Sequence, residues 1–138
     1  MAFALTAERE KKLEELLTRY PTRTGALIPA LHLCQEQNGW ISDEVIHWVS
    51  QRLDVPPAHI KGVVTFYTLF NQTPVGKHQL WVCRTLPCAL RGAGELLHHC
   101  EKKLGIPAAE TVSDGNITVC TAEFLAGCVT SSTIQVDP

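Results

Sequence analysis

"HQLWVCRTLPCALRGAGELLHHCEKKLG", residues 78–105, decides the fold. Its first six residues, "HQLWVC", read as a strand. A short loop follows that carries Cys83 and Cys88. The remainder, "ALRGAGELLHHCEKKLG", reads as a helix that Gly105 ends. Downstream, "NITVC" (116–120) is a second strand and "STIQV" (132–136) a third. The order strand, helix, strand, strand predicts a small α/β sandwich with the helix packed on the sheet. This half begins at Thr73-Pro74-Val75-Gly76, a turn signal.

Upstream the pattern is helical. Leu5 to Arg19 reads as an amphipathic helix with Thr6 as its cap, Glu8 and Glu10 at the positive end of its dipole, and Leu13, Leu16 and Leu17 as an apolar stripe. Pro21 lies just beyond its end. A second helix runs from Gly25 to Gln37, with Pro29 in its first turns and Asn38-Gly39 as its stop. A third starts after Ser42 and turns Val45, Ile46, Trp48, Val49 and Leu53 inward. "VPPAHIKGVVTFYTLF" is a short helix opened by Pro56-Pro57 that leads into an apolar run. No β-alternation interrupts residues 1–72, which predicts a helical bundle there and a second, mixed domain over 73–138.

Composition narrows the class of protein. The chain has 138 residues, is 45% hydrophobic and carries a formal charge of −2, with its basic residues scattered. It can bury a core, and it lacks the basic footprint of a nucleic-acid binder. No apolar run approaches the roughly 20 residues of a spanning helix, so no direct membrane insertion is expected. "MAFALTAEREKKLEELL" turns charged before a signal-peptide core could finish, so a cytoplasmic location is expected. In that compartment paired cysteines are more often metal ligands or redox groups than structural disulfides.

Four of the six cysteines lie near two loops. Cys83 ends a strand and Cys88 lies just before a helix. Cys120 follows the second strand and Cys128 lies in the loop after it. Four thiolates delivered by two loops at one end of a sheet suit a [2Fe-2S] cluster or a zinc ion. A thioredoxin-type redox pair is the weaker reading, because no C-x-x-C is present. The bland alternative is that such cysteines are small buried hydrophobes, and it is the preferred reading for Cys34 and Cys100, which sit mid-helix on apolar faces. His98 and His99 are adjacent on a helix and cannot both face one centre, so the histidines are read as surface or packing residues. "RGAGE" is too short for a phosphate loop. Arg84 and Arg91 flank the first cysteine pair, either as solvated surface or as charges that offset an iron–sulfur site or contact a partner.

These residues carry a family resemblance. "GVVTFYTLFNQTPVGKHQLWVCRTLPCALRGAGELLHHCEKKLGI" with "TVSDGNITV", and "QEQNGWISDEVIHWVSQRLDVPPAHIKGVVTFY" before it, resembles the thioredoxin-like [2Fe-2S] subunits of respiratory NADH:quinone oxidoreductase (complex I). Related diaphorase subunits serve NAD-dependent formate dehydrogenases and NAD-reducing hydrogenases. The resemblance rests on G-V-x-T-F-Y, P-x-G-x-H, the C-x4-C loop and D-G-x-x-T. It implies an α+β fold: an N-terminal helical bundle, then a thioredoxin-like ferredoxin domain. The family's C-terminal strand and helix lie beyond Pro138, so the domain is expected to be shortened.

The resemblance also implies a function. It is that of an electron-transfer subunit, not catalytic alone, whose [2Fe-2S] cluster exchanges single electrons with the FMN of a partner. That partner binds FMN and NAD(H), further iron–sulfur subunits belong to the same complex, and any membrane association is peripheral, through the complex. Cys83, Cys88 and Cys128 match the family's cluster ligands. The family's second loop reads E-C-L-G-x-C, and here "EFLAGC" puts Phe124 at the third ligand and Ala126 at the glycine. Three outcomes compete: Cys120 substitutes, another donor such as a hydroxyl, a water or a partner's side chain completes the site, or the cluster is lost. The alternatives to electron transfer are a cluster-free adaptor subunit of the same kind of complex and a zinc-binding interaction module.

Overall fold

The computed structural model describes residues 3–137. The chain divides into two compact units, 1–74 and 75–138.

The first unit is built of four helices: α1 (Ala7–Arg19), α2 (Leu27–Asn38), α3 (Asp43–Leu53) and α4 (Pro57–Phe66), with a 3₁₀ turn at Thr24–Ala26 leading into α2. Ser42 caps α3 as its sequence position requires, its hydroxyl accepting from the Val45 amide at 3.3 Å. Thr6 precedes α1 without a side-chain cap bond. Its amide donates instead to Gln37 Oε1 at 2.8 Å, which ties the start of α1 to the end of α2. Leu13, Leu31, Val45, Val49, Leu53, Ile60 and Val64 are buried at the centre. Trp48 is only half-buried and meets Phe3 edge-on at 5.5 Å between ring centroids. Gln35 fastens the chain after α4, donating to the Leu69 carbonyl at 2.8 Å and accepting from the Asn71 amide at 2.7 Å. That segment turns Phe70 into the core and leaves Tyr67 and Leu69 exposed, as is Phe66 at the end of α4.

The second unit is a three-stranded sheet in the order β2-β1-β3, with β1 (His78–Cys83), β2 (Ile117–Ala122) and β3 (Ile134–Val136). β1 and β2 are parallel and are joined through two helices, α5 (Leu86–Leu90) and α6 (Ala93–Leu104). β3 returns antiparallel to β1. The helix expected over 89–105 is therefore broken: Gly92 takes φ +92°, a conformation that suits glycine, and starts α6 afresh. β2 also continues two residues past Cys120, which moves that cysteine from the expected strand end into the strand interior. Gly76 is required where it stands, because a Cβ there would lie 3.0 Å from the backbone of Gly115, Asn116 and Ile117.

Candidate metal centre

The register of the parallel pair brings Cys83 opposite Ala122 at the ends of β1 and β2. Both loops that leave this end carry cysteines. Cys83 and Cys88 are each 1% exposed and share a small cluster with Ala93 under Leu125. One segment of the second loop fixes both backbones. The Cys83 amide donates to the Thr133 carbonyl at 3.1 Å, and the Ser132 hydroxyl lies 3.3 Å from the Cys88 carbonyl.

The Cys83 sulfur is surrounded by donors. The Thr85 hydroxyl lies 3.2 Å from it. Thr85 occupies the position before α5 but makes no side-chain cap bond, so its hydroxyl serves the sulfur instead of the helix. The Thr85 hydroxyl lowers the Cys83 pKa most, burial opposes it, and the Thr85 amide, the Cys88 thiol and the Leu125 amide lower it further, to about 7. The Thr85 and Leu125 contributions were not legible as motifs. A hydroxyl residue two positions after Cys83 was the one available signal.

The other expected ligands sit differently. Cys128 is half-buried and opens the 3₁₀ turn Cys128–Thr130 in the second loop. Cys120 pairs with Trp81 inside the sheet, and its sulfur lies 3.9 Å from Gln79 Oε1. Its register partner Trp81 is two residues before Cys83, about 7 Å along the strand. Strand register holds Cys120 there, and among the described residues it is not gathered with the other cysteines into a metal-binding group. Burial raises its pKa, which disfavours a thiolate there. Phe124 is 61% exposed, so its ring does not fill the vacated ligand position. Ala126, where the family pattern has glycine, is held at φ +55°, a conformation that costs an L-residue energy. All six histidines are exposed. Arg84 pairs with Glu123 across the two loops, its Nε donating to Oε1 at 2.7 Å, while Arg91 is exposed with no assigned role.

Among the described residues no three cysteine, histidine, aspartate or glutamate side chains are gathered into a metal-binding group. The residue types at the family's four ligand positions suit a [2Fe-2S] cluster at three of them, with the three thiols not gathered into one group. The Cys83–Cys88 pair shares a buried cluster with the Thr85 hydroxyl beside the Cys83 sulfur, Cys128 stands on the facing loop, and Phe124 offers no donor atom.

Comparison with known proteins accords with this arrangement. Residues 13–138 match the model of the family described as thioredoxin-like [2Fe-2S] ferredoxin. The chain is 37% identical over 138 residues to the E subunit of the NADH-quinone oxidoreductase of Rickettsia typhi, covering 98% of this chain and 81% of that one. It is 42% identical over 130 residues to the mitochondrial NADH dehydrogenase [ubiquinone] flavoprotein 2 of Dictyostelium discoideum, covering 92% of this chain and 53% of that protein. Its fold matches a chain of an NAD+-reducing [NiFe]-hydrogenase with a TM-score of 0.65 and 20% identity, over 80% of this chain and 19% of that one. The chain belongs to the thioredoxin-like [2Fe-2S] ferredoxin family.

Proposed function

We propose that this chain is the electron-transfer subunit of an NADH dehydrogenase-type complex, relaying single electrons between the FMN of a partner subunit and the rest of the complex. The observation that carries the reading is the buried Cys83–Cys88 pair at the end of β1, with the Thr85 hydroxyl 3.2 Å from the Cys83 sulfur. Cys83, Cys88 and Cys128 would hold a [2Fe-2S] cluster, with a non-cysteine donor in place of the cysteine that Phe124 replaces. When bound, that cluster supplies one-electron chemistry at a potential set by ligand type, hydrogen bonds to sulfur and exposure. The chain's own residues set those conditions. Thr85 and Leu125 stabilise negative charge on Cys83, and Leu125 and Ala93 cover the pair against water.

The loops also offer an approach for a partner. Leu86 and Leu90 on α5, and Phe124 and Val129 on the second loop, are each more than half exposed apolar side chains. A partner bearing FMN and NAD(H) fits this reading, as do further iron–sulfur subunits. Among the described residues no helix is long and apolar enough to cross a membrane, so any membrane association runs through the complex.

A second reading has its own observation. Phe124 is exposed and donates nothing, which favours a cluster-free adaptor that retains the fold for assembly alone. Iron and acid-labile sulfide analysis of anaerobically purified protein separates the two. Iron and sulfide in equal amounts support electron transfer, zinc without sulfide supports an interaction module, and no metal supports the adaptor.

A further inference from the structure

We infer that, in the metal-free chain, Cys83 and Cys88 form a thiol–disulfide couple that exchanges with small disulfides of the glutathione class. The inference concerns the same end of the second unit but does not rest on cluster binding, since the couple operates only while no metal occupies these thiols.

Three observations carry it. The two side chains share one small buried cluster with Ala93, each 1% exposed. Their backbones are held by adjacent residues of one segment, Thr133 for Cys83 and Ser132 for Cys88, which keeps the two residues together. Cys88 lies in α5, a helix of only five residues set off from α6 by Gly92, and since both thiols are 1% exposed this short helix must open for an external disulfide to reach them. The remaining thiols lack such a partner. Cys34 lies in the core of the first unit, Cys120 faces Gln79 within the sheet, and Cys100 sits on α6. Cys128 is on the opposite loop, and the residue at the family's third ligand position is Phe124, which cannot compete for either sulfur.

The chemistry balances without a further co-reactant. One thiolate of the pair attacks a sulfur of the external disulfide, forming a mixed disulfide and releasing one small thiolate. The second protein thiol, after losing its proton, attacks the protein sulfur of that mixed disulfide and displaces the second small thiolate. The protein pair loses two electrons, the external disulfide gains them, and the two thiol protons pass to the released thiolates.

The test uses the full chain, stripped of metal, reduced, and freed of reductant. It is incubated anaerobically with oxidised glutathione, quenched in acid, alkylated and mapped by mass spectrometry. The expected result is an intramolecular Cys83–Cys88 bridge, with Cys34, Cys100 and Cys120 recovered alkylated. In Cys83→Ser and Cys88→Ser the bridge is absent, and the surviving partner in at least one of the two accumulates a glutathione adduct that the wild type does not retain. A bridge from either residue to Cys128 overturns the inference. So does a wild-type chain that keeps stable glutathione adducts without an internal bridge, or one in which both thiols are recovered fully alkylated. Iron and sulfide content is read on a separate, untreated sample, so failure of the couple and failure of cluster binding are distinguished.

Discussion

Cys34 in the helical unit and Cys83 in the second unit are buried to nearly the same degree, at 0% and 1% exposure, yet their thiols are driven in opposite directions. Burial pushes Cys34 up to about 12, with the Glu10 carboxylate adding to the effect. Donors around Cys83 outweigh its burial and bring it down to about 7, the Thr85 hydroxyl first. What surrounds a thiol decides its chemistry, and concealment alone makes it inert. The two units differ in the same sense. The first devotes its interior to one apolar core gathered from four helices. The second keeps a thin core and uses its strand ends and loops to place sulfur, amide and hydroxyl groups together.

The largest expected effect lies in the helical unit. Leu31→Ala removes a fully buried side chain from the centre of that core and should lower stability by about 2–5 kcal/mol in a denaturant titration. It should leave the thiol chemistry of folded Cys83 as it was. A change in Cys83 reactivity in the folded variant would erase the distinction between the two units.

Gly127→Ala acts on the other side of the comparison. A Cβ there collides with the side chain of Thr133, the residue whose backbone carbonyl accepts from the Cys83 amide. Overpacking of this kind costs roughly 1–3 kcal/mol, and the variant should lose metal content while far-UV circular dichroism keeps the helical signal. A variant as stable and as metal-loaded as the wild type would show that the second loop does not position the pair. Ala126→Gly should do the reverse on a smaller scale. It relieves an L-residue held at φ +55° and should stabilise the second unit by up to about 1 kcal/mol.

The pH dependence of Cys83 sharpens the contrast through reactivity. In metal-free protein its alkylation rate should rise with a midpoint near pH 7, whereas Cys34 should stay unreactive up to far higher pH. The sign for stability follows from linkage. The folded value lies below the roughly 8.5 of a free thiol, so the thiolate's contribution is complete above that value and is lost as pH falls through about 7. A midpoint at the ordinary thiol value would remove the role given to Thr85.

Much of this was readable in the chain. Ser42 with Asp43 and Glu44, Pro56-Pro57, and the helical spacing of the apolar residues placed three helix starts or faces correctly, because capping and periodicity are local physics. The strands around "HQLWVC" and "NITVC" were equally plain. The errors arose where tertiary pairing decides. Nothing local says that β2 runs on to Ala122, and that extension is what moves Cys120 into the sheet and away from the loops. Gly92 in "RGAG" did carry a signal for the break between α5 and α6, which the helical pattern around it overrode. The Leu125 amide at the Cys83 sulfur was illegible, because a backbone donor leaves no mark on the sequence.

The most direct test of the central claim is the EPR spectrum of the anaerobically purified, dithionite-reduced protein, recorded for the wild type, Cys88→Ser and Cys120→Ser. A reduced [2Fe-2S] signal is expected in the wild type, abolished or strongly shifted in Cys88→Ser and unchanged in Cys120→Ser, since Cys120 faces Gln79 within the sheet. No signal in metal-analysed wild type, or a signal that Cys120→Ser removes and Cys88→Ser spares, would contradict it.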